Sequence, residues 1–271
     1  MPALTIFGFT MIGRMFDRTR RSPQPHSARG AANKRCYVIG DVHGRSDLLA
    51  ALLETIREHN ATRPERETVV VTLGDLIDRG PGSRGVVELL MRPLPLAARL
   101  VCLKGNHEEI LLRGLGGEPE LLLEWLRHGG LECAQSYGIS SGLLRGQAAD
   151  VLEHNLGSAI PQEHLRFLAS FADSARFGDY LLVHAGIRPG VAVEAQSPAD
   201  LRWIRKGFLD NPTDHGFIVV HGHSISLEVE EAPNRIGIDT GAYKTGVLTA
   251  LWLEDGERGY LQATDALLQP V

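Results

Sequence analysis

Five short segments of the sequence combine Asp, His and Asn side chains with glycine in a pattern suited to metal binding. Each segment follows an apolar run typical of a β-strand, and the segments cover residues 40–44, 74–80, 105–108, 184–186 and 221–223. In open α/β sheets, ligands bind beyond the carboxyl ends of the strands, so we expect these polar side chains to converge there. Mixed oxygen and nitrogen ligands suit divalent ions such as manganese, iron or zinc. The sequence therefore predicts a divalent metal site.

In order and spacing, the five segments resemble the signature motifs of the calcineurin-like metallophosphatase superfamily. Residues 75–80, Asp-Leu-Ile-Asp-Arg-Gly, and residues 105–108, Gly-Asn-His-Glu, are similar to the bacterial and phage-type protein serine/threonine phosphatases in particular. The resemblance covers residues 36–253, which is nearly the whole expected domain.

The resemblance implies a centre of two divalent metal ions, with manganese as the expected metal and iron or zinc as alternatives. Asp75 would bridge the two ions. The other ligands would be divided between them, with Asp41 and His43 on the first ion, and Asn106, His184 and His223 on the second.

The same resemblance implies catalytic and substrate-binding roles. Arg79 would bind the substrate phosphate through paired donors, and Arg205 resembles a second phosphate-binding arginine. His107 would act as a general acid or an electrostatic stabiliser, oriented by Asp78, while Tyr243 would support the cleft. A hydroxide that bridges the two ions would attack the phosphorus, so that no nucleophilic Cys or Ser is needed.

Simpler interpretations of these residues stay open at this point. Asp41 and Asp75 follow predicted strands and could be turn-forming residues. His184 could be a structural histidine of the core, and Arg205 a solvated charge on a helix. His221 precedes His223 by two residues, so the pair would share one face of a strand, and His221 is either a support or an extra ligand.

The hydrophobic pattern predicts the elements that position these residues. Strands are predicted at 36–39, 68–73, 100–103, 180–183, 217–220, 235–238, 247–253 and 260–262. Helices are predicted from Ser46 and at 83–91, 108–113 and 118–128, with short helices between 138 and 165. Alternating strands and helices in the first half imply parallel pairing. The order predicts an α/β fold, a mixed two-sheet β-sandwich flanked by helices.

The composition is that of a globular protein with 271 residues, 43% hydrophobic and 23% charged. The net charge of -5 argues against nucleic acid as a partner. Residues 1–35 carry seven Lys/Arg and one Asp, so the rest of the chain is strongly acidic. An acidic body that binds phosphate needs local positive charge, which metal ions can supply.

The chain is expected to comprise a mobile N-terminal extension, residues 1–34, and one metallophosphatase domain, residues 35–271. The apolar start is too short to span a bilayer and lacks the features of a secretory signal, so no stable membrane insertion is expected. Cys36, Cys102 and Cys133 form no CxxC pair and are expected to be buried thiols in a reducing compartment. We therefore expect a cytoplasmic protein.

The expected substrate is a phosphoprotein or a small phosphoester, with phosphoserine and phosphothreonine in proteins as the leading hypothesis. A dinucleoside polyphosphate hydrolase, acting on diadenosine tetraphosphate, is the alternative, because residues 79–83 resemble that branch. Those enzymes, however, lack an acid at the position of Asp78 and have Asp at that of Glu108. A cyclic nucleotide diesterase and a non-catalytic phosphoprotein-binding module are weaker alternatives. The complete set of expected metal ligands argues against the last of these.

Overall fold

The structure is a computed structural model that describes residues 28–268. Its strands are β1 (Lys34–Ile39), β2 (Glu67–Thr72), β3 (Ala98–Cys102), β4 (Ser174–Phe177), β5 (Tyr180–Val183), β6 (Ile218–His221), β7 (Glu230–Ala232), β8 (Arg235–Gly237), β9 (Val247–Glu254) and β10 (Glu257–Thr264). Its helices are α1 (Ser46–Ala61), α2 (Ser83–Met91), α3 (Asn106–Gly114), α4 (Glu120–Trp125), α5 (Leu131–Ser136), α6 (Ala149–Ala159), α7 (Gln162–Ala169), α8 (Pro198–Trp203) and α9 (Ala242–Thr245).

The strands form two mixed sheets of five strands each. The first has the order β10-β9-β1-β2-β3, in which β1, β2 and β3 are parallel and β9 is antiparallel to β1. The second has the order β4-β5-β6-β8-β7, in which β5, β6 and β8 are parallel. The predicted architecture of two mixed sheets with flanking helices is confirmed.

Alternation along the strands explains why the sheets stack between helices. In β1, Cys36 and Val38 pack in the apolar layer between the two sheets, whereas Tyr37 and Ile39 pack in the layer beneath α1. Successive strand residues point to opposite faces, so a strand that is apolar throughout must be covered on both sides. The loops that follow the strands can then carry polar side chains at the edge of these layers.

Several elements differ from the sequence prediction, and the helices α5, α8 and α9 were not predicted. The edge strands β4 and β7 were not predicted, because they have only four and three residues and lack a run of apolar side chains. The helix predicted at 118–128 ends at Trp125, and the chain continues as a wide turn, Leu126–Gly130. Gly129 adopts a φ of 106° there, and its carbonyl accepts a hydrogen bond from the Arg79 backbone N–H at 3.0 Å. The helix gives way to a turn that supports the loop after β2.

The N-terminal extension falls partly outside the described residues, which begin at Ala28. Ala28 is buried in the layer between the sheets, and its carbonyl accepts a hydrogen bond from the Tyr180 hydroxyl. The Gly30 N–H donates to the carbonyl of Asp255 at 2.6 Å. The segment 28–33 therefore packs on the domain, whereas the prediction placed it in the mobile extension.

The three cysteines are buried free thiols, as predicted. Within residues 28–268, no helix is both long and apolar enough to cross a membrane.

Candidate active site

The predicted site residues lie just beyond the carboxyl ends of parallel strands. β1 leads to Asp41 and His43, and β2 leads to Asp75, Asp78 and Arg79. Asn106 and His107 open α3 after β3, His184 follows β5, and His223 follows β6. Because these strands end at the same side of the two sheets, loops distant in sequence meet there.

Asp75 lies at the centre of two groups of possible metal ligands. One group is His43, Asp75 and His107, and the other is Asp75, His184 and His223; within each group the ligand atoms lie within 4.8 Å of one another. The two carboxylate oxygens of Asp75 face different rings, with Oδ2 3.5 Å from His43 Nε2 and Oδ1 3.4 Å from His184 Nε2. This is the arrangement that a carboxylate bridging two ions needs.

Two further predicted ligands lie beside these groups. Asn106 Oδ1 is 3.0 Å from His184 Nε2, which places Asn106 in the second group. Asp41 belongs to neither group of three, but its Oδ2 accepts a hydrogen bond of 2.9 Å from the His223 backbone N–H. Asp41 Oδ1 and His223 Nε2 are buried and have no hydrogen-bond partner. Such atoms suit coordination of a cation.

The histidine rings are oriented for coordination through Nε2. His43 Nδ1 lies 2.9 Å from the Ile77 carbonyl, and His184 Nδ1 lies 2.9 Å from the Leu73 carbonyl, so both Nδ1 atoms donate. Burial lowers the pKa of both rings. It also lowers the pKa of His223, to about 3. Neutral rings whose Nε2 atom carries the lone pair are the form that binds metals. The donor set therefore fits divalent ions.

The backbone conformation that brings these groups together costs free energy of folding. Seven described non-glycine residues have a positive φ, and five of them are His43, Asp75, Asp78, Arg79 and His223. Left-handed backbone at such residues costs about 1–3 kcal/mol each and is concentrated at functional sites.

Two glycines allow the loops to approach closely. A Cβ atom on Gly222 would lie 1.9 Å from Asp41 Oδ1, and one on Gly105 would lie 2.1 Å from Asp75 Oδ1. Any larger residue would displace these carboxylates, which explains the glycine of each motif.

Glu108 holds the loop after β2 in place, a role that the sequence analysis did not assign. Its Oε2 accepts from the backbone N–H groups of Asp75 at 3.0 Å and Gly105 at 2.9 Å. Its Oε1 accepts from those of Leu76 at 2.8 Å and Ile77 at 3.3 Å. Glu108 is fully buried. One carboxylate thus fixes four amides of two loops.

Asp78 and His107 form a buried pair. Asp78 Oδ2 lies 2.6 Å from His107 Nδ1 and also accepts from Trp125 Nε1 at 2.7 Å. Burial by itself lowers the pKa of His107, but the negative charges of Asp75 and Asp78 outweigh it and raise the pKa to about 9. Trp125 was not predicted as part of the site, because its contact with Asp78 spans 47 residues.

Arg79 projects into the centre of the site. Its Nη1 lies 2.8 Å from His43 Nε2, and its Nη2 lies 3.0 Å from His107 Nε2. The guanidinium carbon of Arg79 lies over the Tyr243 ring, 5.0 Å from its centre, so the ring stabilises the position of Arg79. Arg205 reaches the same cleft and donates from Nη2 to the His223 carbonyl at 3.1 Å.

His221 is buried beside the site but belongs to neither ligand group. Its Nδ1 lies 3.0 Å from the Gly222 carbonyl, and its ring packs against Phe208. Two other described histidines have partners outside the site: His59 bonds to Tyr37, and His164 bonds to Tyr137.

Comparisons with known proteins agree with this geometry. The calcineurin-like phosphoesterase family model matches residues 34–247. A symmetrical bis(5'-nucleosyl)-tetraphosphatase from Klebsiella pneumoniae is 28% identical, over 81% of this chain and 91% of that protein.

Two solved structures share the fold. A provisionally assigned diadenosine tetraphosphatase has a TM-score of 0.58 and 21% identity, over 88% of this chain and 99% of that one. A protein serine/threonine phosphatase from Saccharomyces cerevisiae has a TM-score of 0.51 and 12% identity, over 87% and 84%. This chain belongs to the calcineurin-like phosphoesterase family, whose members are hydrolases with a dinuclear divalent metal centre.

Proposed function

We propose that this chain is a manganese-dependent phosphatase that hydrolyses phosphoserine and phosphothreonine in proteins. One contact supports this substrate class most, namely the 2.6 Å hydrogen bond between Asp78 and His107. An oriented imidazole is useful where the leaving group is a basic alkoxide, as in a seryl or threonyl ester. The acid at position 78 is also the feature that separates this sequence from the dinucleoside polyphosphate branch.

The six predicted ligands would hold the metal centre, with Asp75 shared between its two halves. When bound, two divalent ions would neutralise charge on the phosphate and activate a water for in-line attack. Their positive charge would also lower the pKa of His107, which the nearby carboxylates raise.

Arg79 would bind the phosphate group through its two terminal nitrogens. These nitrogens now lie beside the Nε2 atoms of His43 and His107, so a phosphate bound by both nitrogens would lie beside His107 Nε2. Arg205 would contribute a second positive charge from the His223 side of the cleft.

His107 would donate a proton from Nε2 to the ester oxygen as the bond between phosphorus and that oxygen breaks. Asp78 would stabilise the imidazolium before the transfer, and Trp125 would hold the Asp78 carboxylate in place. The products would be the free hydroxyl of serine or threonine and inorganic phosphate.

Hydrolysis of diadenosine tetraphosphate is the second candidate. The relative from Klebsiella pneumoniae, a symmetrical bis(5'-nucleosyl)-tetraphosphatase, aligns over 91% of its own length. Residues 79–83, Arg-Gly-Pro-Gly-Ser, also resemble that branch.

A substrate comparison separates the two candidates. The manganese-loaded full chain is assayed on phosphoserine and phosphothreonine peptides and on diadenosine tetraphosphate. We expect the larger kcat/KM on the peptides. A larger kcat/KM on the dinucleotide would replace the first proposal with the second. Absence of turnover on both substrates and on p-nitrophenyl phosphate would refute the enzymatic function.

A variant tests the role of His107 on the same substrates. His107→Asn should lower kcat on a phosphoserine peptide by about 10²–10⁴-fold, and much less on p-nitrophenyl phosphate, whose leaving group departs without a proton. His154→Asn, a change at an exposed histidine of α6, is the control. Equal losses on both substrates would show that His107 acts through charge and donates no proton.

A further inference from the structure

Asp239 is a buried carboxylate beside the site with an unused oxygen. It follows β8, and only 3% of its surface is exposed. Oδ1 accepts a hydrogen bond of 2.9 Å from the Gly241 backbone N–H, but Oδ2 is buried and has no partner. An unpaired buried carboxylate oxygen costs free energy unless it binds a cation or a donor.

Asp41 and Asp239 follow two chain segments that lie in contact, because a Cβ atom on Gly40 would lie 2.5 Å from the Ile238 carbonyl oxygen. Asp41 also has one unpartnered oxygen, Oδ1. Burial raises the pKa of both groups, to about 6 for Asp239, and the negative charge of Asp75 raises both further. The positive charge of Arg79 offsets only part of this.

A turn-forming role explains only part of this arrangement. The bond from Gly241 to Oδ1 closes a tight turn before α9, a common role of Asp. That bond needs one neutral acceptor, which asparagine supplies equally well. The second oxygen and the negative charge of Asp239 are therefore left without a structural purpose.

We propose that Asp239 is a further carboxylate of the metal centre, which binds the cation on the Asp41 side together with Asp41. This inference rests on the proposed metal-dependent function, and Asp239 is not one of the six ligands predicted from the sequence. The buried pair with two unpartnered oxygens forms a site of high negative charge that a divalent cation neutralises.

Melting of the metal-free protein provides a test without any substrate. Asp239→Asn keeps an acceptor for Gly241 and adds an amide that can donate to Asp41. It should raise the Tm of the metal-free protein by about 2–4 °C, because it removes a buried carboxylate oxygen that has no partner. Glu254→Gln is the matched control, since Glu254 is buried but paired with Arg35 at 2.8 Å. It should lower the Tm.

Manganese titration of the same proteins provides the second readout. Asp239→Asn should weaken manganese binding by about 10–100-fold, whereas Glu254→Gln should leave it unchanged. If Asp239→Asn does not fold, Asp239→Ser, which also keeps a small acceptor, is titrated instead, with the same loss expected.

The possible outcomes separate this inference from the proposed function. Manganese binding by Asp239→Asn that equals that of the wild type would overturn the inference and leave the phosphatase proposal intact. Weakened binding together with a wild type that hydrolyses neither substrate would support the inference and refute the proposed function. A wild type that binds no manganese would overturn both.

Discussion

The contacts of Glu108 lead to a quantitative prediction for Glu108→Gln. The carboxylate accepts four backbone N–H groups, two on each oxygen. In the glutamine variant one oxygen can still accept two of them, while the side-chain NH₂ group faces the other two. Each buried donor left unsatisfied costs about 1–3 kcal/mol. Removal of a buried charge offsets part of the loss, since burial raises the pKa of Glu108 to about 7.

We therefore expect Glu108→Gln to lower the free energy of unfolding by about 2–4 kcal/mol. In a domain of this size the Tm should fall by about 5–15 °C. The assay is thermal unfolding of the metal-free protein at pH 8.5, where the wild-type carboxylate is ionised.

The neighbouring Glu109→Gln is the control for this measurement. Glu109 forms contacts near the surface, including one from Trp203 Nε1 at 2.9 Å, and we expect a loss below about 1 kcal/mol. Glu108→Asp retains the charge but shortens the side chain, so its Tm separates the effect of side-chain length from the effect of charge. A Tm of Glu108→Gln within the error of the wild type would refute the reasoning that these four hydrogen bonds hold the loop.

Three further predictions concern the metal centre, the phosphate site and the N-terminal segment. Asp75→Asn should weaken manganese binding at both sites and bring the content below two ions per chain, whereas Asn106→Ala should weaken mainly one site. Metal analysis after dialysis measures both effects, and two ions retained by Asp75→Asn would exclude the bridge. Arg79→Ala should raise the inhibition constant of inorganic phosphate at least about tenfold, since a charge-assisted contact is worth about 1.5–3 kcal/mol; unchanged inhibition would place the phosphate elsewhere. Removal of residues 1–27 should leave the Tm unchanged, whereas removal of residues 1–33 should lower it by about 2–8 °C, because each hydrogen bond lost is worth about 1 kcal/mol; equal Tm values for the two truncations would show that the segment 28–33 adds no stability.

The fold and the approximate location of the site could be predicted because their signals are local. The apolar run of β1 and the polar residues that follow it are contiguous in sequence. The helix at Ser83–Met91 and the strand at Tyr180–Val183 were predicted with the limits found. Parallel pairing then brings separate strand ends together without any knowledge of side-chain contacts.

The contacts that support the site could not be predicted because they join distant residues without a repeating pattern. Trp125 lies in an apolar helix, and its bond to Asp78 depends on how α4 packs rather than on its spacing. The sequence prediction placed Arg35 next to a mobile segment, yet Arg35 is fully buried against Glu254, which lies 219 residues away. Single-sequence patterns predict which residues are buried more readily than which polar groups pair.

The left-handed residues and the unpaired carboxylates of the site have a common consequence for stability. Asp75, Asp78 and Arg79 retain strained backbone because Glu108 and Gly129 fix the loop from two sides. Asp41 and Asp239 each keep a buried carboxylate oxygen that has no partner. Both features keep the site in its folded arrangement before a cation binds, and both lower the stability of the metal-free protein. Cations that bind only the folded chain should therefore stabilise it, and their contribution should fall in any variant that relieves the charge repulsion.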